Sequence, residues 1–213
     1  MKSNDEMDRI PPLPNDIEAI IFDCDGTLVD TMPFHLQAWA QICDETGLFY
    51  SKESFIAKAG IPGREIIRTM AKSQGIYLDV MNVYNRKKAL YLQGIRRATP
   101  ASLPVSCVVN FAVEAKSIND SILFGVATGS SRYQVEEVLG LAGLRHLFDV
   151  VVGNEDYSLH KPNPDAFLTA CEKLNVDPTK CWGFEDTEIG LESIRSAGFN
   201  KAIDVRLLSG YPA

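Results

Sequence analysis

The chain has no uninterrupted apolar stretch near the roughly 18 residues that a membrane-spanning helix needs. Nor does it have a block of lysines and arginines long enough to track a phosphate backbone. With 28 acidic and 21 basic residues among 213 its net charge is −7, so neither a membrane nor a nucleic acid is an expected partner. It has only three histidines, and its five cysteines (Cys24, Cys43, Cys107, Cys171 and Cys181) show no paired spacing and no Cys/His cluster of zinc-ligand type. An odd, scattered set of thiols fits a reducing compartment. Met1 to Asp16 carries Asp5, Glu6, Asp8 and three prolines without the apolar centre of a secretory signal, so the expected location is cytoplasmic. Also missing are the G-x-x-x-x-G-K-[ST] and G-x-G-x-x-G phosphate-binding patterns. No cysteine is followed six residues later by an arginine, which argues against a thiol phosphatase.

What the chain does have is Ile20-Ile21-Phe22-Asp23-Cys24-Asp25-Gly26-Thr27-Leu28-Val29-Asp30. An apolar run that ends in two carboxylates and Gly-Thr reads as a buried parallel strand, which carries ligands at its carboxyl end. Side chains alternate along a strand, so Asp23 and Asp25 share one face and Cys24 points the other way, into the core. Two neighbouring carboxylates repel each other unless a cation lies between them or one keeps a proton. Either arrangement suits metal or acid–base chemistry.

Beyond this strand the pattern divides. Residues 1–15 read as a flexible tail. From Phe34 to about Arg97 apolar residues recur at helical spacing (Phe34, Trp39, Ile42, then Ile66, Ile67, Met70), with Gly47, Gly60, Gly63 and Gly75 at helix ends. Ala98 to Pro104 reads as a linker. Strand-like runs then return at Ser121–Ala127, Phe148–Val152 and Cys181–Phe184, with helical patterns between and after them near Tyr133–Leu141, Pro164–Leu174 and Ile189–Ala197. Alternating strands and helices imply an α/β fold with a doubly wound parallel sheet. The expected division is an α/β core of residues 16–32 and 104–213, with a helical domain, 33–103, inserted after the first strand.

The string Asp-x-Asp-Gly-Thr-Leu-Val-Asp resembles the first motif of the haloacid dehalogenase superfamily, whose members are mostly phosphoryl-transfer enzymes using an aspartate nucleophile and Mg²⁺. The resemblance extends in order over Thr128 after Phe124-Gly125-Val126-Ala127, Lys161 in His-Lys-Pro-Asn-Pro-Asp, and Glu185-Asp186 in Gly-Phe-Glu-Asp-Thr. By the residues alone either aspartate can attack. The resemblance implies Asp23 as nucleophile and Asp25 as general acid and base. It also implies Thr128 as the hydroxyl that bonds the phosphoryl group and Lys161 as its charge partner. The implied metal site takes the carboxylates of Asp23 and Asp186, the backbone carbonyl of Asp25 and a contact from Glu185. Phosphate oxygens are expected near the backbone of Gly26 and Thr27 and in the loop Gly129-Ser130. A phosphoryl group in transfer spreads charge over its oxygens, so cations and fixed donors of this kind are what the chemistry needs.

The helical insertion resembles the cap of the β-phosphoglucomutase-like subgroup, which implies a small phosphorylated substrate and a monomer. By the same resemblance His35, Arg64 and Lys87 are substrate-contacting positions; Ser131 and Arg132 stand where the mutase carries a lysine and an asparagine, and Arg132 is also an expected substrate contact. The exit linker Ser102-Leu103-Pro104-Val105 lacks the Pro-Gly common in the mutases, and the chain end Ala202 to Leu208 looks like that of fructose-1-phosphate phosphatases, so a sugar phosphatase is the expected activity. β-Phosphoglucomutase and a non-catalytic binding protein on the same fold are the alternatives.

Overall fold

The computed structural model describes residues 10–51 and 61–212. The first nine residues of the expected tail and Gly60 lie outside them. Five strands form one parallel sheet: β1 (Ala19–Phe22), β2 (Leu123–Ala127), β3 (Val150–Val152), β4 (Cys181–Glu185) and β5 (Lys201–Asp204), ordered β3-β2-β1-β4-β5. The helices between them are α1 (Met32–Thr46), α2 (Gly63–Gln74), α3 (Val80–Arg97), α4 (Ser106–Ile118), α5 (Arg132–Leu141), α6 (Asp165–Leu174) and α7 (Glu188–Ser196). Among the described residues no helix is long and apolar enough to cross a membrane.

All four residues of β1, the central strand, are buried. A strand covered on both faces has no solvent side for polar residues, hence its unbroken Ala-Ile-Ile-Phe. Ile20 and Phe22 pack with Phe124, Phe184 and the apolar sides of α4 and α5. Ala19 and Ile21 point the other way, into a second layer with Phe167 and Ala170 of α6 and Ile194 of α7. From β1 the chain proceeds to β2 and β3 on one side, then returns to β4 and β5 on the other. The winding direction therefore reverses beside β1, and the crevice at such a reversal, at the carboxyl ends of the strands, is where open α/β sheets bind ligands.

Helices α1, α2 and α3 form the block between β1 and α4. They share a cluster of Trp39, Ile42, Ile66, Ile67, Met70 and Val83. Pro33 lies in the first turn of α1, whose end is marked by Gly47 at φ 74°. The Asp79 side chain caps α3 by accepting the N–H groups of Met81 and Asn82 at 3.0 and 3.1 Å. Tyr91, Leu92 and Ile95, in the later turns of α3, join the main cluster that also holds Phe22. Helix α3 thus belongs to both packing units.

Two elements were not expected from the sequence. Helix α4 buries Val108, Ala112 and Ala115, but Val109, Phe111, Val113 and Ile118 put apolar residues outside that face, Val113 and Ile118 being exposed, and blur its period. Strand β5 is a four-residue edge strand opening on Lys201, too short to show a pattern until it pairs with β4.

The Phe22 ring lies 5.0–5.9 Å from those of Phe184, Phe124 and Phe148 and is fully buried. Phe22→Ala is expected to lower unfolding stability by about 3–5 kcal/mol through lost transfer energy and the cavity it leaves. Urea denaturation checks this.

Candidate active site

The parallel register sets the site. Phe22 is level with Val126 of β2 and Phe184 of β4, so Asp23, Thr128 and the Glu185-Asp186 pair emerge together at the carboxyl edge. Asp23 continues the ladder by donating its N–H to the Phe184 carbonyl at 2.9 Å. The next residues fold into a tight turn in which Leu28 and Val29 donate to the Cys24 carbonyl at 3.0 and 3.1 Å. Gly26 sits in this turn at φ 90°, and a Cβ there would lie 2.4 Å from Asp186 Oδ2. Both the conformation and the space require glycine. The Cys24 side chain is fully buried in the core, as alternation predicted.

Around Asp23 the charges are uneven. Lys161 Nζ donates to Asp23 Oδ1 and to Glu185 Oε2, each at 2.7 Å, and all three side chains are buried. The other Glu185 oxygen accepts the N–H groups of Asp186 and Thr187 and the Thr187 hydroxyl at 2.8–3.1 Å. Thr27 Oγ1 donates to Asp186 Oδ1 at 3.1 Å. Asp23, Glu185 and Asp186 each offer an oxygen within 4.8 Å of the others. Three carboxylates thus face one ammonium. Burial, Glu185 and Asp25 push Asp23 up to about 8 despite the opposing pull of Lys161. Asp186 is raised for the same kinds of reason, burial first and then its two acidic neighbours. Burial works against the Lys161 ammonium, yet Asp23 and Glu185 outweigh it and hold its pKa above the usual lysine value. An all-oxygen donor set with surplus negative charge fits a hard divalent cation, which would bring the raised carboxyl pKa values down.

Asp25 has the opposite surroundings. Its Oδ1 accepts from the Thr31 hydroxyl at 2.7 Å, the Tyr91 hydroxyl at 3.1 Å and His35 Nε2 at 3.3 Å. Its Oδ2 accepts from the Ser130 hydroxyl at 2.6 Å. Burial opposes ionisation here too, but the His35, Ser130 and Thr31 contacts overcome it and hold the carboxyl well below the usual range. Lys87 Nζ, itself buried, lies 2.6 Å from His35 Nδ1. With Nδ1 accepting from the ammonium, the imidazole carries its proton on Nε2 and donates it to Asp25. The His35 and Tyr91 rings stack at 4.1 Å.

Several of these groups line one pocket between the sheet edge and the helical block, while Lys161 and Asp186 lie outside its lining. Asp23, Asp25, Thr128, Gly129, Ser130 and Glu185 form its core side. His35, Lys87 and the apolar Met32, Trp39 and Ile66 face them from the block. Thr128 is buried, and its Oγ1 accepts the Ser130 N–H at 3.1 Å. Two expected substrate residues lie outside the lining. The Arg132 guanidinium is drawn off by Asp156, and its backbone N–H is taken by Glu155. Arg64 turns to Glu65 at 3.9 Å and is about two-fifths exposed. Each arginine lies in the first turn of a helix beside a carboxylate, Asp156 for Arg132 and Glu65 for Arg64. Gly26 and Thr27 sit behind Asp186 rather than in the lining. Conversely, Lys88, Tyr84 and Gln134 line the pocket and were not expected. Lys88 lies over the Tyr84 ring at 5.6 Å and 3.4 Å from Ser131 Oγ, with no carboxylate partner among the described residues. Its only sequence signal was adjacency to Lys87.

A family model described as haloacid dehalogenase-like hydrolase matches residues 17–198. The chain is 36% identical over 190 residues to the fructose-1-phosphate phosphatase YqaB of Escherichia coli, covering 89% of this chain and 97% of that protein. It is 28% identical to the β-phosphoglucomutase of Bacillus subtilis over 85% of this chain and 80% of that one. Among solved structures, the β-phosphoglucomutase of Clostridium difficile superposes with a TM-score of 0.78 at 26% identity, over 87% of this chain and 83% of that chain.

The raised carboxyls carry a pH signature. A carboxyl whose folded pKa exceeds its unfolded value stabilises the fold below the unfolded pKa and loses that contribution as pH rises through the folded one. His35 and His160 have lowered pKa values and act in the opposite sense, but only below about 6.5. Lys87, lowered to about 8, opposes the trend only above that pH. Without divalent cations the protein is therefore expected to lose stability between about pH 6.5 and 8, by at most about 1.4 kcal/mol per pH unit for each raised carboxyl. Mg²⁺ should flatten that slope. Denaturation midpoints at several pH values, with and without chelator, check it.

Proposed function

Because the chain belongs to the haloacid dehalogenase-like hydrolases, we propose that it is a Mg²⁺-dependent phosphatase of small phosphorylated sugars, working through an aspartyl-phosphate on Asp23. The observation that carries this reading is the Lys161 ammonium shared between Asp23 and Glu185 beside Asp186, where Asp23 and Glu185 line a pocket under the helical block. In the first half-reaction a carboxylate oxygen of Asp23 bonds to phosphorus while the ester P–O bond breaks, and Asp25 protonates the departing sugar oxygen. In the second, Asp25 takes a proton from water as the water oxygen attacks phosphorus. The bond to Asp23 breaks and inorganic phosphate leaves.

Each residue's surroundings suit its part. Asp25, ionised by its four donors, is ready to act as a base. An anionic ester bound beside it raises its pKa, so it takes up the proton that it later gives to the leaving oxygen. Thr128 and the loop Gly129-Ser130 offer donors to the phosphoryl oxygens, and Lys161 offsets the repulsion between Asp23 and an incoming anion. Asp23 and Asp186, with Glu185 beside them and the backbone carbonyl of Asp25, are the residues that would hold Mg²⁺. Bound Mg²⁺ neutralises charge on the nucleophile and the phosphoryl group. Residues 33–103 act as a cap over the pocket, with His35 and Lys87 supporting Asp25 and Lys88 facing the sugar.

Hydrolysis is favoured over isomerisation by the relatives and not by the pocket, where Lys88 leaves a cation that either reaction could use. The relative matched at higher identity is a fructose-1-phosphate phosphatase, and fructose 1-phosphate is the proposed representative substrate.

Asp23→Asn is expected to abolish turnover while circular dichroism and the thermal midpoint show a folded protein, because an amide neither attacks phosphorus nor neutralises a metal. Most of the activity surviving in that variant would overturn the nucleophile assignment.

With Mg²⁺ present, fructose 1-phosphate should yield one equivalent of inorganic phosphate without a bisphosphate primer. Chelation should stop the reaction, and Ca²⁺ should restore it poorly because its looser coordination misplaces Asp23. Primer-dependent conversion of β-glucose 1-phosphate to glucose 6-phosphate that outpaces phosphate release would favour the mutase instead.

A further inference from the structure

The segment after β5 returns to the site from behind. Its Tyr211 hydroxyl donates to the backbone carbonyl of Gly26 at 2.9 Å, across 185 residues of sequence. The Tyr211 ring packs against the main core, and its N–H bonds to the Leu208 carbonyl at 3.1 Å, so the hydroxyl is presented from a fixed base.

Gly26 is the weak point of the turn that bears the acidic cluster. At φ 90° it is in a region where glycine has several accessible neighbouring conformations and little steric restraint. The turn nevertheless grips Asp186 on both oxygens. The Gly26 backbone packs against Oδ2, closely enough that a Cβ would lie 2.4 Å away, and the Thr27 hydroxyl donates to Oδ1 at 3.1 Å. Asp186 is repelled by Asp23 and Glu185, so this grip holds a carboxylate that its neighbours push outward. On its amide side Gly26 is tied to Val29 by a 2.8 Å hydrogen bond. On its carbonyl side, among the described residues, Tyr211 is its hydrogen-bond partner.

We propose that Tyr211 is a positioning residue for the metal centre: its hydroxyl pins the Gly26 carbonyl and so keeps the Asp25–Thr27 turn closed on Asp186. This rests on the reading that Asp23, Glu185 and Asp186 surround a divalent cation. Tyr211 touches neither the cation nor the substrate. Its effect passes through the turn to the direction of one ligand, and outer partners of metal ligands commonly govern affinity in this way.

The test is Tyr211→Phe in the full chain, which keeps the ring packing and removes only the hydroxyl. Mn²⁺ binding, followed by the loss of its free-ion EPR signal without substrate, reads the site independently of turnover. The variant should bind Mn²⁺ roughly tenfold more weakly than the wild type. Its metal-free thermal midpoint should fall by no more than the roughly 2–4 °C that one lost hydrogen bond produces in a chain of this size. Unchanged Mn²⁺ affinity in the variant, with a wild type that binds, would overturn the role of Tyr211 alone. So would a weakening accompanied by a far larger drop in the metal-free midpoint, which would mark the residue as a folding element. A wild-type chain that binds no Mn²⁺ would overturn the metal reading itself, and this inference with it.

Discussion

The ammonium of Lys161, buried between Asp23 and Glu185, is the interaction on which the site depends. Without it three carboxylates would stand together at the edge of an apolar sheet, each repelling the others and each short of solvent. One lysine does not balance them. Asp23 and Asp186 remain poorly ionised without further positive charge, a deficit that suits a hard divalent cation. Breaking such a pair from one side leaves a buried charge unpaired, which costs more than the pair contributes when intact.

The sheet acts as the ruler for this arrangement. Parallel strands in register end at one level, so residues more than 150 positions apart come within hydrogen-bonding distance, as Thr27 and Asp186 do. The close fit continues behind the cluster. Gly190 leaves the space that Glu185 fills, since a Cβ there would lie 2.0 Å from Oε2, and Gly26 does the same for Asp186. These glycines allow backbone to approach carboxylate, and the capping bonds around Thr187 direct Glu185 towards Lys161.

Asp25 links the two packing units. Its four donors come from the turn before α1, from α1, from α3 and from the loop after β2. One carboxylate therefore senses both the core and the helical block. Because α3 contributes Tyr91, Leu92 and Ile95 to the core cluster, the position of the block and the ionisation of Asp25 are joined. Any movement of the block that separates His35 or Tyr91 from Asp25 loosens the hold that keeps it charged.

Local residue order was enough for the strand–helix alternation, the burial of β1, the inward turn of Cys24 and the paired carboxylates after β1, because each follows from side-chain period or from what an apolar run must lead into. Thr128, Lys161 and Glu185-Asp186 came from the family resemblance. Helix α4 was missed because apolar residues outside its buried face, among them the exposed Val113 and Ile118, blur the helical period, and β5 because four residues show a pattern only when paired. Tertiary structure alone decided which cations reach the pocket. Adjacent lysines on one helix differ by a third of a turn, so packing sent Lys87 to His35 and Lys88 over the pocket, while Asp156 and Glu65 attracted the two arginines. It also decided the unequal acidity of Asp23 and Asp25. They stand two residues apart after β1 and are of one residue type, and they differ because one meets two carboxylates and a single ammonium where the other meets four hydrogen-bond donors. Charge and hydrogen-bond environment are assembled from distant segments, and so they are properties of the fold.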